Sequence, residues 1–238
     1  MELVGAPAAE LRSQITAAFE DWARLRQDSG ATGSGSCAIS GGATAMIFLT
    51  AMRAANVDWK KITLFWADER AVPVDDPDSN YGLAERMLLA PLGANAPRAI
   101  RMPIEGRPGD TAQLGQAALW YDDALATELN GGSLDLAILG IGEDGHICSL
   151  FPGHKALRVD DLRAVAIDDS PKPPARRLSL TLRYVLQTKK IWVIAIGPRK
   201  LPVLRTALEQ TSRSTPLDLL MRQAKDVTVF TDQVIHRR

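Results

Sequence analysis

The chain has 238 residues, and its 28 Lys plus Arg are balanced by 28 Asp plus Glu, so the formal net charge is zero. A balanced chain lacks the positive field on which non-specific binding to nucleic acids or anionic membranes depends, and we expect neither partner. No apolar stretch approaches the roughly 20 residues of a membrane span, and the first residues lack the basic and apolar regions of a secretory signal, which predicts a cytoplasmic protein. The two cysteines, Cys37 and Cys148, are too few for a disulfide framework and are predicted to be buried free thiols.

Apolar residues recur at helical spacing over 11–25, which predicts an opening amphipathic helix, and a loop rich in Gly and Ser follows at 29–36. Beyond the loop, short apolar runs alternate with helical patterns. We predict strands at 37–39, 62–66, 134–139, 191–196 and 227–230, and helices at 44–55, 80–89, 111–129 and 201–209. Strands that are apolar throughout and alternate with helices are typical of a mostly parallel sheet covered on both faces. The pattern therefore predicts one α/β domain spanning residues 1–238.

Four of the predicted strands end in a cluster of glycine and polar residues. The clusters are Ser40-Gly41-Gly42-Ala43-Thr44, Asp68-Glu69-Arg70, Gly140-Ile141-Gly142-Glu143-Asp144-Gly145-His146 and Gly197-Pro198-Arg199-Lys200. Because ligands of open α/β sheets bind at the carboxyl ends of the strands, these clusters are expected to meet in one cleft. The first cluster suits a phosphate, since its glycines allow close backbone approach and the following helix offers free N–H groups.

His146 lies on a glycine-containing loop, two residues after Asp144. An imidazole, whose ordinary pKa is about 6.5, is available as a general base at neutral pH, and a carboxylate beside it can orient the ring. The alternative is a structural histidine that caps the loop. Arg70, Arg177 and Lys200 lie near strand ends and offer cations for phosphate oxygens. The segments 74–79 and 170–174, rich in Asp and Pro, are predicted to form mobile rims of the cleft.

Three other interpretations of the same region are less favourable. Residues 140–145 match the GxGxxG pattern of dinucleotide sites, but two acidic residues would repel a pyrophosphate, and Pro152-Gly153 interrupts the helix that should hold it. His146, Cys148 and His154 match no common zinc spacing. Ser149 lacks the GxSxG surroundings of a nucleophile. We therefore expect neither a metal nor a cofactor.

Taken together, the motifs resemble those of the 6-phosphogluconolactonases. The matching segments, in the family's order, are Ser40-Gly41-Gly42-x-Thr44, Trp66-x-Asp68-Glu69-Arg70, Ser79-Asn80-Tyr81, Gly140-x-Gly142-x-Asp144-Gly145-His146-x-x-Ser149-Leu150-Phe151-Pro152-Gly153 and Gly197-x-x-Lys200. The sequence departs from the family at Ala45, where Pro is usual, and at Ile147-Cys148, where Thr-Ala is usual.

The resemblance implies a three-layer α/β/α Rossmann-like fold related to glucosamine-6-phosphate deaminases and ribose-5-phosphate isomerases. It also implies hydrolysis of 6-phospho-D-glucono-1,5-lactone to 6-phosphogluconate, in the oxidative pentose phosphate pathway, without a metal. Apart from this small-molecule substrate we expect no partner beyond a weak homodimer, or a monomer.

The resemblance further assigns roles to individual residues. His146 would be the general base, supported by Asp144, and Asp68 would shape the charge near the sugar ring. Arg177, Lys200 and the backbone of 42–44 would hold the phosphate. Arg70 would either contact substrate or fix Asp68.

Two rival functions remain open on the sequence. A glucosamine-6-phosphate deaminase shares the Asp-Gly-His element, but that family typically has Asp-Glu-Tyr at 68–70 and a carboxylate after the histidine, which Ser149-Leu150-Phe151-Pro152 does not supply. A sugar-phosphate sensor without turnover normally carries a DNA-reading domain, whereas only residues 1–36 precede the first predicted strand.

Overall fold

A computed structural model describes residues 1–28, 35–104 and 111–235. Its strands are β1 (Glu2–Gly5), β2 (Gly35–Ile39), β3 (Ile62–Trp66), β4 (Asp68–Arg70), β5 (Arg98–Ile100), β6 (Leu136–Gly140), β7 (Ala164–Ile167), β8 (Arg177–Leu180), β9 (Lys190–Ala195) and β10 (Val227–Thr231). Its α-helices are α1 (Ala8–Asp28), α2 (Ala45–Ala54), α3 (Asn80–Ala84), α4 (Ala90–Leu92), α5 (Thr111–Glu128), α6 (Leu182–Gln187), α7 (Leu201–Glu209) and α8 (Pro216–Gln223). Of the loop predicted at 29–36, residues 29–34 lie outside the described residues, and residues 35 and 36 belong to β2.

The main sheet is parallel throughout and has seven strands in the order β1-β10-β9-β6-β2-β3-β5. In β2, next to the middle strand β6, every residue is buried, and Cys37 pairs with Leu64 on one side and Leu136 on the other. Helices flank this sheet, with α1 packed on α2 and α8 packed on α6 and α7. The predicted parallel α/β fold is confirmed.

The strand order reverses direction between β2 and β6. From β2 the chain continues to β3 and β5 on one side, and from β6 it continues to β9 and β10 on the other. At the carboxyl ends of this central pair the backbone N–H of Gly140 donates to Oγ of Ser40 at 2.8 Å. Such a reversal opens a crevice above the sheet, so the topology places a ligand site at the loops after these two strands.

A second, antiparallel sheet of three strands in the order β4-β8-β7 was not predicted. Ala67 joins the two sheets, because its N–H donates to the carbonyl of Ile39 in the main sheet and its carbonyl accepts from the N–H of Leu180 in the small one. The strands of the small sheet are three or four residues long, and β4 reads Asp-Glu-Arg. Because β4 is so short and polar, it shows no alternation of apolar and polar residues from which a strand could be predicted.

Other elements also depart from the predicted pattern. The predicted helix over 80–89 is helical throughout, but the chain passes from α3 into a π-helical turn over Glu85–Leu89 and then continues into α4. β1, β5, α6 and α8 were not predicted. Both cysteines are buried free thiols, as expected. Within the described ranges, no helix combines the length and the hydropathy that crossing a membrane would require.

The hydroxyl of Tyr121 in α5 hydrogen-bonds the last residue of β3, next to β4, and its contribution to stability can be tested. The buried hydroxyl accepts from the N–H of Trp66 and donates to the carbonyl of the same residue, both at 2.9 Å. Tyr121→Phe leaves both buried backbone groups without this partner, so the free energy of unfolding is expected to fall by about 1–3 kcal/mol, measured by urea denaturation. Tyr184→Phe is the control, because that hydroxyl lies 3.4 Å from its acceptor and a smaller loss is expected. Equal losses in the two variants would contradict the prediction.

Candidate active site

A cavity of about 340 Å³ lies at the carboxyl ends of the central strands, within the size range of small-molecule sites. It is lined by Ser40, Gly41, Gly42, Ala43, Thr44, Asp68, Arg70, Gly140, Ile141, Gly142, Glu143, His146, Cys148, Lys172 and Lys200. The structure therefore brings all four strand-end clusters of the sequence to one cavity.

A larger cavity of about 650 Å³ lies elsewhere, bordered by Trp120 of α5, Ile104 and Arg176. Its described lining contains no carboxylate, imidazole or thiol, and it is mainly apolar. Size therefore does not identify the site here, and the smaller cavity is the one that contains the acid and base groups.

His146 lines the smaller cavity and is paired with Asp144 behind it, with 2.6 Å between Nδ1 and Oδ1. The contacts with Lys172 and His146 outweigh the opposing effect of burial and lower the pKa of Asp144 to about 2, so its carboxylate is ionised and only accepts. Nδ1 of His146 therefore carries the hydrogen, and the lone pair of the neutral ring lies on Nε2. Among the described residues no group hydrogen-bonds Nε2, which leaves it available at the cavity.

The ionisation of His146 results from opposing effects. Burial lowers the pKa of His146, and the positive charge of Lys172 acts in the same direction, whereas Asp144 and Asp68 act against them. The net effect is a pKa below the ordinary value for histidine, so the ring is mainly neutral at pH 7. An oriented, neutral imidazole with a free Nε2 can act as a general base.

Gly142 is required for this arrangement because the pair occupies the space where a side chain would be. A Cβ added at residue 142 would lie 2.0 Å from Nδ1 of His146 and 2.3 Å from Oδ1 of Asp144. The GxG spacing that resembled a dinucleotide motif therefore accommodates the His-Asp pair.

The loop that carries His146 is fixed from outside by α8. The N–H of Leu217, in the first turn of that helix, donates to the carbonyl of Gly145 at 3.0 Å, and Gly145 itself has a φ of +80°. Thr215 and Asp218 close the helix start with a capping box. The loop thus supplies an acceptor for a helix N–H that has no partner within the helix.

Asp68 begins β4 and reaches the cavity from the small sheet. Its Oδ2 accepts from Oγ of the fully buried Ser149 at 2.7 Å and lies 3.9 Å from Nε of Arg70. Ser149, weighed above as a nucleophile, instead donates to a carboxylate beneath the cavity wall.

Glu69 belongs to the second strand-end cluster but was given no role in the site, and the structure places it behind the cavity. Its buried carboxylate accepts from the backbone N–H groups of Arg70, Asn80 and Tyr81 at 2.6–2.8 Å. Burial outweighs these hydrogen bonds and raises the pKa of Glu69 to about 7. The carboxylate joins β4 to the start of α3, and its position next to Asp68 in the sequence was the signal available for it.

Arg70 and Lys200 contribute positive charge to the cavity. Arg70 donates from Nη1 to the carbonyl of Asp78 at 2.8 Å, while its buried Nε has no hydrogen-bond partner among the described residues. Lys200 ends the turn after β9, where burial lowers the pKa of its ammonium. On the facing side, Gly42 and Ala43 are exposed, and the first turn of α2 has no side-chain cap. These groups are suited to an anion.

Arg177, predicted to hold the phosphate, is not brought to the cavity lining. It is buried, and its guanidinium donates to the carbonyls of Lys172, Pro173 and Pro174 at 2.9–3.0 Å and to Oγ of Ser149 at 3.3 Å. The residue that reaches the cavity is Lys172, which sequence reasoning missed. The available signal was its location in the segment 170–174, predicted as a rim.

Within the described ranges, no set of three or more His, Cys, Asp or Glu side chains is placed to hold a metal ion. His154, weighed above as a zinc ligand, accepts from the N–H of Ala156 through Nδ1 and contacts Asp169 through Nε2 at 2.9 Å.

Comparison with known proteins agrees with this geometry. The family described as glucosamine-6-phosphate isomerases/6-phosphogluconolactonase matches residues 7–230. The chain is 36% identical over 173 residues to a 6-phosphogluconolactonase of Mycobacterium tuberculosis, covering 71% of this chain and 69% of that protein. It is 32% identical over 188 residues to that of Rattus norvegicus, covering 77% and 70%.

Solved structures share the fold. The 6-phosphogluconolactonase from Trypanosoma cruzi has a TM-score of 0.84 at 22% identity, covering 97% of this chain and 93% of that one. The one from Trypanosoma brucei has a TM-score of 0.82 at 24% identity, covering 97% and 95%. With the sequence relatives, these findings establish that the chain belongs to the glucosamine-6-phosphate isomerase/6-phosphogluconolactonase family, among its 6-phosphogluconolactonase enzymes.

Proposed function

We propose that this protein hydrolyses 6-phospho-D-glucono-1,5-lactone to 6-phospho-D-gluconate, with His146 as the general base. The observation that carries the proposal is the ionised Asp144 on Nδ1 of a mainly neutral imidazole, whose Nε2 is unpartnered among the described residues beside a cationic cavity wall. The names of its sequence relatives support this substrate.

In the proposed reaction a water molecule attacks the lactone carbonyl carbon while Nε2 of His146 removes one of its protons. The resulting tetrahedral oxyanion collapses, the bond between C1 and the ring oxygen breaks, and the imidazolium returns its proton to that leaving oxygen. Asp144 remains a carboxylate throughout and stabilises the imidazolium that forms between the two steps. The acid produced then loses its proton to solvent.

The phosphate is proposed to bind the groups that face the cavity with unused donors. These are the backbone of residues 41–44 at the start of α2 and the ammonium of Lys200, while Arg70, whose Nε is buried, adds positive charge to the cavity wall. Because the donors of Arg177 are directed at protein oxygens, we assign it no contact with the phosphate. Anchoring the phosphate would fix C1 near His146 and convert remote binding energy into orientation.

The first test of this function is His146→Asn, measured by lactone consumption corrected for spontaneous hydrolysis. Loss of the base is expected to lower kcat by about 10²–10⁴-fold. In the unsubstituted protein kcat/KM should be flat near neutral pH and fall as acid protonates His146, with a midpoint below the ordinary histidine value because burial lowers its pKa.

The matched control is His154→Asn, since this histidine contacts Asp169 outside the cavity and full activity is expected. Near-normal turnover by His146→Asn would refute the base assignment. Release of ammonia from glucosamine 6-phosphate would instead establish the deaminase.

Lys200→Met tests the phosphate site. If Lys200 binds the phosphate equally in the ground and transition states, KM should rise while kcat changes little. Arg199→Met is the control, because the neighbouring side chain is 82% exposed and pairs with Glu143. A rise in KM of the same size in both variants would count against a phosphate contact by Lys200.

Gly142→Ala tests whether the His-Asp pair must occupy the space beside residue 142. The added methyl group would displace Nδ1 of His146, so kcat/KM is expected to fall by about 100-fold, the size of effect that a misplacement of about 1 Å can cause. Gly115→Ala in α5 is the control, since a Cβ there meets nothing within 4 Å. Unchanged activity in Gly142→Ala would show that the pair can shift without loss.

A further inference from the structure

Lys172 contacts both members of the His-Asp pair from outside their loop. Its Nζ lies 2.8 Å from Oδ2 of Asp144 and 3.4 Å from Nδ1 of His146. Because Nδ1 already carries a hydrogen toward Asp144, the second distance is a close approach of a cation to the ring and not a hydrogen bond. One ammonium therefore binds the far oxygen of the carboxylate and opposes a positive charge on the imidazole.

The position of Lys172 is fixed through its backbone. Its carbonyl accepts from Nη2 of Arg177 at 3.0 Å and from the hydroxyl of Ser170 at 2.9 Å. The same guanidinium holds the carbonyls of Pro173 and Pro174. The buried Arg177 thus organises the whole turn that presents Lys172.

The ring of Phe151 lies beneath these groups. The centroid of the His146 ring is 4.6 Å from that of Phe151, and the cationic groups of Lys172 and Arg177 lie 5.9 Å and 5.6 Å from it. Phe151 is 1% exposed, so water is excluded on this side of the pair, while the side chains of Lys172 and Asp144 are 44% and 36% exposed on the other side.

The charged groups facing His146 come from three elements. Asp144 belongs to its own loop, Asp68 comes from β4, and Lys172 comes from the turn between β7 and β8. The helix packed against the loop, α8, presents the uncharged Thr215 there. Of the cations that line the cavity with His146, which are Arg70, Lys172 and Lys200, Lys172 is the one that contacts the His-Asp pair and lowers the pKa of His146.

We propose that Lys172 is a positioning residue of the active site. It orients the Asp144 carboxylate toward Nδ1 of His146 and disfavours protonation of His146 before water attacks the lactone. Arg177 acts by holding Lys172 in place. The proposal rests on the proposed function, in which His146 is the base. The proposal gives Arg177 a role that does not require access to the cavity. It also explains why Lys172 contacts the carboxylate of Asp144, which binding a phosphate would not require.

The test compares the unsubstituted protein with Lys172→Met and Lys172→Arg by two readouts. The first is the NMR titration of the His146 ring, which needs no turnover. The second is the pH profile of kcat/KM. Removing the cation should raise the pKa of His146. The ring titration and the acid limb, which is the fall of kcat/KM at low pH, should then both move to higher pH. Each unit of that shift lowers kcat/KM tenfold on the acid side. Lys172→Arg should restore the limb at least in part.

Lys190→Met is the matched control, because its ammonium also pairs with an aspartate, Asp226 at 2.9 Å, but at the amino end of β9. Its titration and pH profile should equal those of the unsubstituted protein. Arg177→Lys provides a second variant that does not touch His146. By releasing the turn it should move the limb in the same direction as Lys172→Met.

The outcomes separate this proposal from the proposed function. If Lys172→Met raises KM while the His146 titration and the acid limb stay in place, Lys172 binds substrate and the positioning role is refuted. If Arg177→Lys leaves both readouts unchanged, the role of Arg177 is refuted. The assignment of His146 as the base fails only if His146→Asn keeps its turnover. The ring titration of Lys172→Met can be measured whether or not that assignment holds.

Discussion

The 2.6 Å contact between Asp144 and His146 constrains the rest of the site. An ionised carboxylate on Nδ1 fixes the tautomer, and that tautomer determines which nitrogen faces the cavity. The surroundings are consistent with this single requirement. Residue 142 has no side chain because the pair fills that space, the first turn of α8 holds the loop by the carbonyl of Gly145, and Lys172 holds the far oxygen of the carboxylate.

The two sheets supply different parts of the site. The parallel sheet contributes backbone turns and the loops that follow β2, β6 and β9, all at its carboxyl edge. The small antiparallel sheet contributes fixed side chains, Asp68 from β4 and Arg177 from β8, which Ser149 connects by hydrogen bonds. Side-chain hydrogen bonds of Ser149 thereby tie a loop of the first sheet to two strands of the second beside the cavity.

The net charge of the whole chain and the charge around the cavity differ. A chain with zero net charge nevertheless gathers Arg70, Lys172 and Lys200 around one small cavity. Burial then acts on each titratable group in the direction of its neutral form, raising the pKa of Glu69 and lowering those of His146 and Lys200. Burial acts on Asp144 in the same way, but the direct contacts with Lys172 and His146 outweigh it and the pKa of Asp144 is lowered overall.

The sequence by itself determined the parallel fold and the residues that gather at its carboxyl edge, because fully apolar strands and glycine-rich strand ends are local features with a direct spatial meaning. It also located His146 and Asp144, two residues apart on one loop. Only the tertiary structure decided the small sheet, the burial of Glu69 and the contacts of Lys172 and Arg177. These depend on contacts between segments distant in the chain, and no local pattern reports whether a guanidinium meets a phosphate or a backbone carbonyl.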